Sequence, residues 1–520
     1  MQELISQPQT QLTYPLAKVD TENIKEVVSN TSELERVSLT CNLSKLEGVN
    51  TPEFYEFNDI SRAKVFAKVI EGICTYVPEK NCWFYFDGTN WKEDIGNIYI
   101  ARLAIVFSDC LLTYYCNNVL SDMPSMTKEE IKYKNKLLEF LSKNQWISVR
   151  ENMIKDAKAF NFMPVSAFDS NPNLFNCLNG TLDLSDFSFH KHNPKDYCLK
   201  IANVNYDPNA KSERFEKFIL EIFEDDKEKA EYIQCKFGSA LTGEIHSEEM
   251  YCLYGPTTRN GKSTLVNSIG KLFGDYGAVA QAETLMQSKY ATNPDGATAS
   301  MAALHGKRFV AVAEPAKNVS FDVAKIKQMT GNDPITARFL HKNLFTFVPQ
   351  FKIFMHANTL PNVNDATLFS SNRINIIPFT KHFKEEEMDL SLKDIFLTPE
   401  VQSAILNWLI EGLRIIKDKK WIITRPQSIV EAINDYEYRS NREMQFTEEC
   451  FEIGKENKIL FSYVYKAYKT WCQENGYGAL GKNKLKEALV SLRFEIKNGA
   501  GNKLYLFGYR LNDECIDSVF

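Results

Sequence analysis

The chain has 520 residues, 44% hydrophobic and 25% charged, with a formal net charge of −6. That length suits two to four globular domains and excludes a fibrous or wholly disordered chain. The acidic balance excludes a general polycation, so any nucleic-acid contact must come from local basic patches.

The N-terminus, MQELISQPQTQLTYPL, has neither the basic start nor the apolar run of a signal peptide. No stretch of about 18 apolar residues is evident, so no membrane span is expected. The 12 cysteines include no CxxC pair, which argues against a zinc site and for free thiols in a reducing cytoplasm. Residues 1–54 are polar and read as an arm, either a partner-binding segment or a disordered tail. Residues 55–209 read as a mainly helical domain with small hairpins. NDISRAKVFAKVIEGI has helical spacing, CWFYFDGTNW turns at Asp87-Gly88, and FNCLNGTLDLSD carries an Asn-Gly turn signal. The lysine-rich faces between about 95 and 160 are either solvated or in contact with DNA.

Residues 210–246 form a helical collar by their three- and four-residue apolar spacing. From 247 to 384 the texture changes. EEMYCLYG, KRFVAVAE, FKIFMHAN and RINIIPF are short apolar runs that alternate with helical stretches. Strands apolar on both faces indicate a covered parallel sheet, hence a multi-domain protein with an α/β core. Residues 385–444 return to helix as a linker or lid. The tail, 445–520, reads helix, helix, hairpin, the order of a winged helix.

Within the core, GPTTRNGKST runs from Gly255 to Thr264 between a strand and a helix. A glycine turn lets backbone N–H groups close around phosphates, and the following helix offers its positive end. Lysine then reaches the outer phosphates and a hydroxyl binds Mg²⁺. Gly255, Asn260, Gly261, Lys262, Ser263 and Thr264 are therefore the candidate ATP and Mg²⁺ ligands. Five residues separate Gly255 from Gly261 where the usual spacing is four, so a bulged loop is expected. Glu314 ends the KRFVAVAE run and is the candidate to activate water, with a share in holding the metal. Asn358 ends FKIFMHAN and is placed to hold water or the terminal phosphate. Arg373 precedes RINIIPF and could act on a neighbouring subunit's phosphate.

This order of parts resembles the superfamily 3 helicases, specifically the phage and plasmid primase–helicase family that shares its ATPase region with poxvirus primase–helicases. YGPTTRNGKST is similar to that family's phosphate loop and LHGKRFVAVAE to its acidic strand. KIKQMTGNDPITARFLHKNLFTFVPQFKIFMHANTLP is similar to its next block, and NRINIIPF to its arginine-finger strand. FYFDGTNW, NCLNGTLDL and GSALTG resemble its preceding helical domain, and ILNWLIEGL its following helix.

The resemblance implies an AAA+-like ATPase that assembles as a ring, usually a homohexamer, and draws single-stranded DNA through its centre. It makes Glu314 the catalytic acid, Asn358 the sensor and Arg373 a finger in trans, with Arg338 as fallback. It places His341 and Lys342 on a pore hairpin. A winged helix would bring Lys482, Lys484 and Lys486 to duplex DNA, unless that module only packs or oligomerises. Only about 50 residues precede the match, so no primer synthesis is expected, and a separate primase or polymerase becomes a candidate partner. The plan also resembles the replication initiator–helicases of staphylococcal pathogenicity islands, which implies a bacterial cytoplasm. The alternatives are a helicase loader that remodels DNA without processive unwinding, and a non-enzymatic DNA-binding scaffold.

Overall fold

The computed structural model describes residues 56–119, 126–287, 298–317, 319–340, 343–365 and 367–517. The polar arm and the pair His341–Lys342 lie outside the described residues. The chain divides into two compact units, residues 1–206 with 274–276, and residues 207–273 with 277–520.

In the first unit α1 (Asp59–Val69) starts under Asn58, whose side chain accepts from the Ser61 amide at 2.9 Å. It packs with α2 (Ile98–Val119), α3 (Lys128–Ser142) and α4 (Ile147–Ala157) around Phe66, Trp83, Phe107, Leu137 and Met153. Strands β1 (Cys74–Val77), β2 (Cys82–Phe86) and β3 (Trp91–Glu93) form an antiparallel sheet. Its second turn is held by Asp87, which accepts from the amides of Thr89 at 2.8 Å and Asn90 at 2.9 Å. A second sheet joins β4 (Leu174–Cys177), β5 (Gly180–Asp183) and β6 (Ser188–His190). Its first turn centres on Leu178-Asn179, since Gly180 already pairs with Cys177.

One sequence expectation needs correction here. The stretch Ile95–Cys116 is long and apolar enough, by length and composition, to cross a membrane. Its apolarity has another use in this fold: Ile100, Leu103, Ala104, Phe107, Leu111 and Tyr115 are buried in the core of the helical unit.

The second unit begins with α5 (Glu213–Ile222) and α6 (Lys227–Gly238). Its centre is a five-stranded sheet of β7 (Met250–Tyr254), β8 (Gly277–Ala280), β9 (Phe309–Val312), β12 (Lys352–Ala357) and β13 (Ile374–Pro378). The spatial order is β13-β7-β12-β9-β8, and every pairing is parallel. Four of these strands are the apolar runs visible in the sequence. The fifth, GAVA, is too short and small-sided to announce itself; its pairing with β9 makes it a strand. Helix α7 (Lys262–Leu272) follows β7. Helix α8 (Val323–Thr330) precedes a hairpin of β10 (Ile335–Ala337) and β11 (Phe345–Phe347). Helices α9 (Pro399–Asp418) and α10 (Gln427–Ser440) come after the sheet.

The tail contains α11 (Arg442–Cys450), β14 (Phe451–Leu460), α12 (Phe461–Glu474), α13 (Lys482–Ser491), β15 (Glu495–Asn498) and β16 (Leu504–Leu511). The sheet order is β14-β16-β15, all antiparallel. Strand β14 was not expected: Lys458–Leu460 looks helical in sequence but pairs with Tyr505–Phe507 instead. The cysteines also differ from expectation. Cys450 and Cys515 form a disulfide with Cα atoms 5.7 Å apart, across 65 residues of sequence. The pairing of Phe451 with Leu511 brings the two ends of the module together, which no sequence spacing reveals. The other described cysteines are free thiols.

Candidate functional site

The site lies where the parallel strands end. Sites in such sheets gather at the carboxyl ends, because the loops that leave the strands there meet helix N-termini. Strand β7 delivers Gly255, and the loop closes on Gly261 at the start of α7. Neither glycine has room for a side chain. A Cβ on Gly255 would fall 2.5 Å from Asn260 Nδ2 and 2.6 Å from the Phe379 carbonyl. Gly261 has φ +83°, and its Cβ would meet Ile222 at 2.4 Å.

The long spacer has a structural explanation. Arg259 adopts a left-handed backbone, φ 59°, two residues before Gly261, so the chain takes a second sharp turn. Asn260 is 4% exposed and donates back to the Thr257 carbonyl at 2.6 Å. The segment after β13 grips the loop: His382 Nδ1 lies 2.8 Å from the Thr258 carbonyl and the Phe383 amide donates to Arg259 at 2.9 Å. The extra residue is thus absorbed by a clasped bulge, with the helix start undisturbed.

Lys262 is 4% exposed. Its Nζ donates to the Gly255 carbonyl at 3.0 Å and to Asn358 Oδ1 at 3.1 Å. Asn358, just past β12, in turn donates to Glu314 from its amide nitrogen at 3.0 Å and from Nδ2 at 3.1 Å. Three residues, one from the start of α7 and two from just past β12 and β9, therefore form one hydrogen-bonded line, lysine to amide to carboxylate. Glu314 is exposed, two residues past the end of β9. Ser263 is exposed and Thr264 half-buried in the first turn of α7, where backbone N–H groups have no partner within the helix. A buried cation, a cradle closed to side chains and a free helix end fit a triphosphate. Ser263 and Glu314 would hold its Mg²⁺, Glu314 through water. Among the described residues no group of three or more His, Cys, Asp or Glu side chains could hold a metal by itself.

Burial pushes Lys262 down from its ordinary 10.5 to about 8, against the pull of Glu314. Below pH 8 the group is charged in both the folded and unfolded chain. Between pH 8 and 10.5 the unfolded chain binds the proton and the folded one does not, so this group makes stability rise with pH across that window. Phosphate beside Nζ reverses the shift. ATP affinity should therefore fall as pH rises above about 8, and binding at pH 9 should take up close to one proton. Titration calorimetry in two buffers of different ionisation enthalpy measures that uptake; a value near zero would remove Lys262 from the phosphate site.

His356 is a site residue that the sequence reading missed. Burial lowers its pKa, Lys262 lowers it further, and Glu314 opposes both. The signal was available: it lies two residues before Asn358, on the same face of β12. The grip of His382 and Phe383 on the loop had no signal in the sequence.

Arg373 does not join this group. It sits before β13, with its carbonyl accepting from the Met250 amide at 2.8 Å. That is the opposite end of the sheet, roughly 16 Å away for a five-residue strand. Its guanidinium donates to Thr330 Oγ1 at 2.9 Å and to the Lys327 carbonyl at 3.1 Å, and pairs with Glu248. Arg338 follows β10, its amide donating to Thr298 Oγ1 at 3.1 Å. Between β10 and β11, Phe339, Leu340 and Leu344 are 44%, 66% and 65% exposed; His341 and Lys342 fall in the same loop, outside the described residues. On α13, Lys482 and Lys484 are exposed and Lys486 half-buried, while Leu485 and Leu489 fill the module's core.

Comparison with known proteins adds to this geometry. Residues 63–224 match the family described as D5 N terminal like, and residues 440–506 the Poxvirus D5 protein-like family. Residues 253–373, which hold the phosphate loop, match a family of unknown function. A protein of Acanthamoeba polyphaga mimivirus named as a candidate helicase is 27% identical over 327 residues, 60% of this chain and 33% of its own length. Similarly named proteins of Frog virus 3 (22% over 310 residues, 57% of this chain and 30% of that one) and Sputnik virophage (27% over 291 residues, 51% and 35%) also match. The chain spans about a third of the length of these relatives. Among solved structures, the apo NrS-1 C terminal region aligns with 86% of this chain and 99% of its own, at TM-score 0.44 and 12% identity. D5-type matches lie on both sides of the phosphate loop, and together with the viral relatives named as helicases they support a poxvirus D5-type primase–helicase family.

Proposed function

We propose that this chain is an ATP-dependent DNA helicase that assembles as a ring, a hexamer by family resemblance, and translocates on single-stranded DNA. The observation that carries the reading is the line from Lys262 through Asn358 to Glu314 at the mouth of the parallel sheet. In this reading the core is AAA+-like and the tail a winged helix, with DNA replication in a host cytoplasm as the setting and a separate primase or polymerase as partner.

Lys262 takes the outer phosphates, leaving its contacts with Gly255 and Asn358. Asn358, released on one side, still holds the Glu314 carboxylate by two bonds and keeps it aimed at the water position. Glu314 accepts the proton of the attacking water. ATP supplies the bond to be broken, and Mg²⁺ the charge that offsets the phosphates. Asn358 thus links phosphate occupancy to the base. The exposed Phe339, Leu340 and Leu344 between β10 and β11 favour translocation over loading, since they offer a contact for a strand. Lys482, Lys484 and Lys486 would touch duplex phosphates, a contact that weakens with salt.

Arg373 lies too far from its own phosphate loop to serve it, which suits a role at the next subunit. Strand displacement should require ATP and vanish in Lys262→Ala. Mixing wild-type with Arg373→Ala chains should depress displacement more steeply than the wild-type fraction, because one defective subunit stalls a shared site. A strictly proportional loss, in mixtures that melt like wild-type, would exclude the trans role, and the same titration with Arg338→Ala would then test the fallback. ATP turnover without displacement would favour the loader.

A further inference from the structure

A cleft of about 940 Å³ opens in the N-terminal unit, and nothing in the ATPase reading uses it. Its walls combine Lys64 and Lys68 from α1, Phe160 and Phe162 from the segment after α4, and Lys195 and Tyr197 from the loop after β6. Phe160 is 46% exposed and Phe162 59%. Exposed phenyl rings are common singly, but two that line one basic cleft need a reason.

Their presentation is rigid. The Tyr76 amide donates to the Asn161 carbonyl at 3.0 Å, and the Met163 amide to the Tyr76 carbonyl at 2.8 Å. Asn161 Nδ2 donates to the Cys74 carbonyl at 2.9 Å. The backbone between the two rings is therefore pinned to β1, which keeps both phenylalanines on the cleft wall. On the facing wall, the Lys195 amide donates to Asn193 Oδ1 at 3.0 Å and Trp91 Nε1 to the Pro194 carbonyl at 2.8 Å, which fixes that loop.

The charges are of one sign where they are free. Lys68 pairs with Glu71 at 2.8 Å, the cleft's acidic member. Lys64 stands 5.8 Å from the centre of the Phe160 ring. Among the described residues no carboxylate pairs with Lys64 or Lys195. Fixed aromatic faces beside unpaired cations are the chemistry of single-stranded nucleic acid: bases stack on rings and phosphates lie against ammonium groups, without sequence preference. A folded duplex offers no free base face to such a cleft.

We propose that this cleft binds single-stranded nucleic acid, as a second site apart from the hairpin loop and independent of ATP hydrolysis. The test uses the full chain without nucleotide and an eight-residue oligothymidine carrying iodouracil, with cross-linked peptides mapped after irradiation. Label is expected on the peptide holding Phe160 and Phe162. Phe160→Ala/Phe162→Ala should weaken binding about 10- to 100-fold. Lys64→Gln/Lys195→Gln should lower the salt slope by about 1.4, two single-strand phosphates' worth. If the alanine pair melts lower, Phe160→Leu/Phe162→Leu keeps the apolar bulk, removes the ring faces, and should show the same loss. The proposal fails if label is confined to the hairpin or the tail module, or if the leucine pair binds within twofold of wild-type. It also fails if thymidine monophosphate competes as well as the oligonucleotide, which would make the cleft a nucleotide pocket. Loss of ATPase in Lys262→Ala bears only on the function proposed above.

Discussion

ATP hydrolysis in Lys262→Ala should fall by at least two to three orders of magnitude, roughly 3 to 4 kcal/mol of lost transition-state stabilisation. Charge develops on the phosphates during the reaction, and Lys262 is the buried cation aimed at them, 4% exposed and anchored by Gly255 and Asn358. The same burial makes the substitution safe for the fold. A lysine whose pKa is pushed to about 8 costs stability when charged, so its loss should not lower the melting temperature at pH 7. Lys262→Met, which keeps the apolar stem, is the better control for packing. Steady-state phosphate release together with a melting curve checks both halves. Activity within tenfold of wild-type would mean that ATP is cleaved elsewhere; a large drop in melting temperature would mean that Lys262 is a structural residue.

Glu314→Gln should separate binding from chemistry. The turnover number is expected to drop on the order of a hundred- to a thousandfold, while ATP affinity stays within a few-fold, because the phosphates are held by Lys262 and the loop. The amide can still accept from the Asn358 backbone nitrogen, but one of its two positions now presents a donor to Asn358 Nδ2, which is itself a donor. One bond of the line is lost as well as the base. Such a chain should accumulate with ATP bound, and that state is the one to examine for ring assembly by sedimentation. Should Glu314→Gln raise KM with turnover unchanged, Glu314 would be a binding residue and the base must be sought elsewhere.

Much of the site is legible in the chain itself because its chemistry is local. Glycines at 255 and 261, a lysine and a hydroxyl form a phosphate cradle wherever a strand feeds a helix, and β7 and α7 supply that context within a few residues. The long apolar strands are legible for a similar reason: a strand covered on both faces must be apolar throughout. What stays hidden depends on distant partners. GAVA at β8 is a strand only because β9 lies beside it. Lys458–Leu460 leaves the helical pattern because β16 offers a ladder. The Cys450–Cys515 bond needs the ends of a whole module to meet.

The phosphate loop shows the division most clearly. From sequence alone came the identities of Lys262, Glu314 and Asn358 and the strand ends that carry them, since each is set by residues adjacent to it. Their union into one hydrogen-bonded line came only with the sheet order β13-β7-β12-β9-β8, which puts the strand bearing Asn358 between those bearing the lysine loop and the acid. The five-residue spacer is likewise settled by tertiary contacts, through the grip of His382 and Phe383 on the bulge. Arg373 carries the converse lesson. The sequence puts it before a strand, and only the parallel sheet places it at the edge opposite its own phosphate loop, because parallel strands start at one edge and end at the other, and Arg373 stands at the start.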